Sequence, residues 1–209
     1  MGKQRNWVTF YGVNLFVLIL YGLMVLLAVC GAALGFMLAA EGTESLTDIG
    51  SATLIIFMAI GEALVIGVPV LLFITVGRTG GSLLKLTRPR IPEMLSAFGM
   101  AVGGFGVFLF LQMLTQQALS SLKLPVQGLE ISVSSGWQLL AWIGALGVLP
   151  AVAEEFAFRG IVLGVYERHL RPFWAIGLSA VLFGVLHMQV AFFYFYIGLG
   201  AILGWVVYR

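Results

Sequence analysis

Residues 7–40 carry no charged side chain. An uninterrupted apolar run of that length exceeds the roughly 20 residues that cross a hydrocarbon core as a helix. Further apolar runs cover residues 49–76, 94–119, 137–166, 173–187 and 190–208, broken only by Glu62, Glu154, Glu155, Arg159 and His187. Apolar residues are 61% of the chain and charged residues 10%, against roughly 45–50% and 25% in soluble domains. Mean hydropathy is +1.07. So few charges cannot cover a water-facing surface, so the pattern predicts an all-α, polytopic transmembrane helix bundle of about six spans. It is read as one transmembrane domain over 1–209, with three N-terminal spans in 7–119 and a second group in 137–209. The first run, behind Lys3 and Arg5, is about twice the length of a signal-peptide h-region, which makes it a retained span. The single cysteine, Cys30, lies inside an apolar run and permits no internal disulfide.

Orientation follows from Lys and Arg in the short connections. A cytoplasmic N-terminus puts the basic segments at 3–5, 78–90, 168–171 and Arg209 on one side. The connections at 41–48, with Glu41, Glu44 and Asp48, and at 120–136, with only Lys123 basic, then fall on the other. The stretch 78–90 is expected to set topology and touch anionic headgroups. Net charge is only +2 and the basic residues are dispersed among short loops, so nucleic acid is not an expected partner; the lipid bilayer is.

Ionisable groups at membrane depth cost several kcal/mol and need a partner or a purpose. Glu155 and Arg159 stand four apart on one helical face and can pair; a structural ion pair and a functional one are equally good readings. Glu154 points about 100° away around the helix and cannot easily share Arg159. His187 supplies a counterpart. Counted from the basic turn at 167–171, Glu154 lies about 13 residues and His187 about 16 residues into neighbouring antiparallel helices, depths of roughly 20 and 24 Å. A carboxylate and an imidazole at one depth suit the activation of water, the carboxylate as base and the imidazole as partner, proton carrier or metal ligand. A plain hydrogen bond between helices is the competing reading. Glu62 could face a polar cavity, but such a residue more often snorkels or pairs with a Gln or Ser; Gln112, Gln116 and Gln117 are plausible partners on a different helix. His169 reads as an interfacial loop residue. The aromatics Phe192, Phe193, Tyr194, Phe195 and Tyr196 read as a membrane-anchoring belt rather than a binding surface.

The string Pro150-Ala-Val-Ala-Glu154-Glu155-Phe-Ala-Phe-Arg159-Gly160, followed by Phe183-Gly-Val-Leu-His187, resembles the CAAX-protease and bacteriocin-processing (CPBP, or Abi) family of intramembrane endopeptidases. That family carries Glu-Glu-x-x-x-Arg and then Phe-x-x-x-His on the next helix. The resemblance implies that Glu154 activates water with His187, that Glu155 supports the site and pairs with Arg159, and that Phe183 belongs to the second motif. It also implies a peptide or protein substrate in or at the membrane, and a prokaryotic cytoplasmic membrane as the location. The family's chemistry has two versions, a zinc metalloprotease or a metal-free water activated by glutamate. Zinc, if held, would be bound by Glu154 and His187. The usual three-ligand set with several histidines is absent, which favours the version without an obligate metal. The family's third motif, His-x-x-x-Asn or His-x-x-x-Asp on a later helix, has no counterpart after His187, so the expectation is either a C-terminal truncation or a member without that piece. A non-catalytic membrane binding or bacteriocin-immunity protein on the same scaffold is the alternative function. A proton-coupled transporter would also use buried Glu and His, but no inverted repeat supports it.

Overall fold

A computed structural model describes residues 10–40, 51–76, 90–123, 133 and 135–208. Lys3, Arg5, Glu41, Glu44, Asp48, Arg78, Lys85, Arg88 and Arg209, on which the charge asymmetry mostly rests, lie outside the described residues. Every regular element among the described residues is helical. Lipid offers the backbone no hydrogen bonds, so apolar runs must satisfy their amides internally, and a helix does so within one segment.

Among the described residues six helical units appear in chain order. Helix α1 is Phe10–Ala40. Helix α2 runs through Ser51–Glu62, a π-helical turn Ala63–Gly67 and Val68–Val76. Helix α3 is Ile91–Ser121, ended by Lys123 with a φ of 54°. Helix α4 covers Gly136–Tyr166. It starts where Ser135 accepts a hydrogen bond from the Gln138 amide (3.3 Å). Helix α5 is Pro172–Leu186, and after a 3-10 turn at Val190–Phe192 helix α6 is Phe193–Tyr208. Among the described residues five stretches are long and apolar enough to cross a bilayer: Phe10–Gly31, Met58–Thr75, Met94–Ser121, Gly136–Tyr166 and Val190–Tyr208. The run expected as the fifth of six spans is a shorter apolar helix of 15 residues. It is cut off because Met188 adopts a φ of 50° immediately after His187, a left-handed conformation that no helix continues through.

Three π-helical stretches change the rotation of the helices that carry them. Two have a cause legible in the chain. Pro69 follows Ala63–Gly67, and Pro150 follows the π-turn Gly144–Val148 of α4. A proline ring collides with the carbonyl four residues earlier, here that of Val65 and of Leu146, and cannot donate to it; a locally widened turn relieves both problems. The third, Glu155–Leu163, contains no proline, and nothing in its sequence accounts for it.

The core lies where α1, α2, α4 and α5 meet. Val13, Phe16, Val17 and Leu20 of α1 pack with Val65, Ile66 and Val70 of α2, with residues 157–166 of α4, and with Ala175, Phe183 and Leu186 of α5. Two hydrogen bonds tie α1 to the later helices: Tyr21 Oη donates to the Leu182 carbonyl (2.6 Å) and Tyr166 Oη to Asn14 Oδ1 (2.8 Å). Helices α5 and α6 pack most extensively. A Cβ on Gly200 would sit 3.0 Å from the Ala180 Cα, and one on Gly184 only 2.8 Å from Ile197 Cγ1. Glycine at these two positions is what lets the backbones approach. None of the described side chains of α3 within Met94–Ser121 is buried, and the helix touches the start of α6 through Phe108–Phe195 (4.5 Å between ring centroids) and Thr115–Tyr194 (2.7 Å between hydroxyls). Large apolar side chains such as Leu18, Phe98, Phe105 and Trp174 face outward, the surface of a protein whose solvent is lipid.

Candidate active site

Glu154 is the last residue of the α-helical segment Leu149–Glu154, directly before the π-helical stretch. Its Oε1 lies 3.7 Å from His187 Nε2 across the α4–α5 interface. The spacing-based expectation that these groups share one depth therefore corresponds to a real approach. Both side chains keep some exposure, 19% for Glu154 and 18% for His187, so a reactant can reach them. His187 caps α5, and its Nδ1 lies 2.9 Å from the Phe183 carbonyl oxygen. A carbonyl only accepts, so in this contact Nδ1 carries the proton. In the neutral ring that leaves the Nε2 lone pair directed at Glu154. At 3.7 Å the pair is beyond direct hydrogen-bond distance, and the gap suits two groups that engage one water between them.

Arg159 is buried, and its Nη1 stands 3.2 Å from Glu155 Oε1. The contact lacks hydrogen-bond alignment: neither Nη1 nor Nη2 has a hydrogen-bond partner among the described residues. The guanidinium instead rests over the Phe183 ring, 4.5 Å from its centroid. Phe183 meets Phe158 edge-on (5.3 Å) and His187 edge-on (4.7 Å). The two motifs therefore join physically, Glu155 and Arg159 of α4 continuing through Phe183 to His187 of α5. Glu154 and Glu155 diverge, one towards His187 and one towards Arg159, as adjacent helical positions require.

Two side chains near the pair are not in either motif. Glu62 of α2 is placed where its charge acts on Glu154, on a helix that packs against α4. Its Oε1 is buried and has no hydrogen-bond partner among the described residues. Which groups of α4 it approaches depends on how α2 packs against α4, of which a single helix carries no record. Tyr196 stacks on His187, with ring centroids 3.8 Å apart and planes 21° apart. The aromatic run at 192–196 is thus not simply a lipid-facing belt: Phe192 and Phe195 pack on Phe108, Tyr194 reaches Thr115, and Tyr196 reaches the site. The available signal was the shortness of the link after His187, which forces the first turns of α6 beside the last turn of α5. His169 sits in the turn between α4 and α5, its Nδ1 2.9 Å from the Val165 carbonyl, consistent with a loop role.

Glu154 and His187 could each offer one ligand to a metal, but no group of three His, Cys, Asp or Glu suited to a metal forms among the described residues. Among the described residues the set stops at two donors, one short of a three-ligand zinc centre.

Against known families, residues 136–209 match the model described as Rce1-like, type II CAAX prenyl endopeptidase. This segment is similar to that family. The match takes in both motif-bearing helices and α6, roughly a third of the chain, and agrees with the CPBP resemblance of the two motifs. No curated protein and no solved structure matches the chain. The long apolar helices, together with the similarity of residues 136–209 to that family, indicate an integral membrane protein.

Proposed function

We propose that the chain is an intramembrane endopeptidase in which Glu154 and His187 activate the attacking water. The observation that carries the reading is the 3.7 Å approach of Glu154 Oε1 to His187 Nε2, with Nδ1 occupied by the Phe183 carbonyl. A water held between them loses a proton to Glu154 as its oxygen bonds to the peptide carbonyl carbon. The carbon–nitrogen bond of the tetrahedral adduct then breaks, and Glu154 returns the proton to the departing amine. His187 orients the water through its Nε2 lone pair. Glu155 and Arg159 hold α4 against Phe183, which backs the imidazole. No step is routed through a metal; if one were held, Glu154 and His187 would be its ligands.

The family description makes a prenylated peptide ending in a CAAX-type tail the first substrate class to test. The location proposed is the cytoplasmic membrane of a prokaryote, with the N-terminus inside.

The test is cleavage of a farnesylated CAAX-tailed peptide by purified protein in lipid vesicles, read by mass spectrometry. Glu154→Gln and His187→Ala are each expected to lower the rate by about 10²–10⁴-fold at unchanged expression and thermal midpoint. Wild-type rates in either variant would sink the assignment. A wild-type protein that binds the peptide without cutting it would favour the non-catalytic binding protein.

A further inference from the structure

We propose that Tyr196 is a positioning residue for His187, its ring clamping the imidazole so that Nε2 stays directed at Glu154. The proposal rests on the water-activating pair just described and adds a third element, α6, to its construction.

A histidine held by one hydrogen bond retains a rotation about that bond. The Nδ1 contact to the Phe183 carbonyl (2.9 Å) fixes one edge of the ring. Phe183 meets it edge-on at 4.7 Å, an angle of 62° between planes. Neither contact defines the tilt of the imidazole face. The near-parallel Tyr196 ring, 3.8 Å away and inclined by 21°, does. A stacked face restricts the plane, whereas the hydrogen bond restricts the direction within it, and together they leave Nε2 one orientation.

The chain is built to deliver that ring. Met188 takes a left-handed φ of 50° and stops α5 at His187. The 3-10 turn Val190–Phe192 then starts α6 within a few residues. The close approach of α5 and α6, with Gly184 against Ile197 and Gly200 against Ala180, holds Tyr196 at that height. Among the described residues the Tyr196 hydroxyl has a long hydrogen-bond contact, 3.4 Å, to Gln189 Oε1, outside the range of a good hydrogen bond. We assign the positioning to the ring, and Tyr196→Phe tests the hydroxyl.

Purified wild type, Tyr196→Phe and Tyr196→Leu would be compared by cleavage kinetics and by 15N-histidine NMR in micelles. The chain has two histidines, and His169→Asn assigns the spectrum. Wild type and Tyr196→Phe should show His187 protonated at Nδ1, with its ring protons shifted upfield by the stacked neighbour. Tyr196→Leu should lose that shift and mix tautomers. On a substrate that is cut, Tyr196→Leu should lower kcat about tenfold to a hundredfold with KM nearly unchanged, as a small misplacement of a catalytic group does. Tyr196→Phe should keep wild-type kinetics. Should Tyr196→Leu fail to fold, Tyr196→Met replaces it. A wild-type His187 spectrum in the Leu or Met variant overturns the proposal, as does an equal loss in the Phe variant, which would assign the role to the hydroxyl. If wild type cuts no peptide, the endopeptidase reading fails while the spectra still decide the clamp.

Discussion

Glu62 and Glu154 are two carboxylates from different helices whose charges interact inside a bilayer-facing bundle. Proximity of like charges is unfavourable, and Glu62 Oε1 is in addition buried without a hydrogen-bond partner among the described residues. A group in that position lowers stability unless something offsets it. Glu62→Gln keeps the shape and removes the charge, so it is expected to raise the thermal midpoint in detergent by a few degrees. A lower midpoint, measured by differential scanning fluorimetry, would mean that Glu62 contributes a stabilising interaction. Arg159 illustrates the opposite case. Its charge is balanced by Glu155 at 3.2 Å and by the face of Phe183, and Glu155 itself remains 43% exposed, so the pair is only half withdrawn from solvent.

At the scale of helices, α5 and α6 form the unit on which the site depends. Their separation is set by glycine, because a side chain on Gly200 would press on the Ala180 backbone rather than on a flexible tip. Gly200→Val is expected to cost about 1–3 kcal/mol through overpacking, measured as a lower unfolding midpoint in detergent, and to disturb the seat of Tyr196 along with it. Gly198, with open space around it, is the control, and Gly198→Val should leave the midpoint close to wild type. An equal loss at both positions would place the cause in helix propensity rather than in the interface. The two proline-linked π-turns act on a similar scale. They rotate the segments below them, so the face that Glu154 presents depends on the turn before Pro150 as much as on its own position.

Taken as a whole, the molecule has a packed side, where α1, α2, α4 and α5 meet, and an exposed periphery that includes much of α3, which meets α6 at Phe108 and Thr115. A cytoplasmic N-terminus, as the Lys and Arg distribution suggests, puts the end of α3 outside and the turn between α4 and α5 inside. In a Cys30→Ala background, Ser121→Cys should then react with a membrane-impermeant thiol reagent in right-side-out vesicles, and Arg168→Cys should react only after permeabilisation. The reverse pattern would invert the topology. Both positions are exposed at helix ends or turns, so a failure to label reports sidedness rather than burial.

Membrane residence, the helical class and the candidacy of Glu154, Glu155, Arg159 and His187 were legible in the chain, because each depends on local quantities. Apolar runs measure themselves against a bilayer, and charges inside them stand out on cost alone. The Glu155–Arg159 contact follows from four-residue spacing within one helix, and the depth match of Glu154 and His187 from counting outward from one short turn. What only the tertiary structure decided is which faces of different helices meet. Tyr196 reaches His187, and Glu62 comes near Glu154, through the rotation and separation of whole helices. Those are fixed by glycine contacts, proline-induced π-turns and the left-handed Met188, not by the periodicity of any one segment. Periodicity says which residues share a face of a helix; only packing says what that face touches.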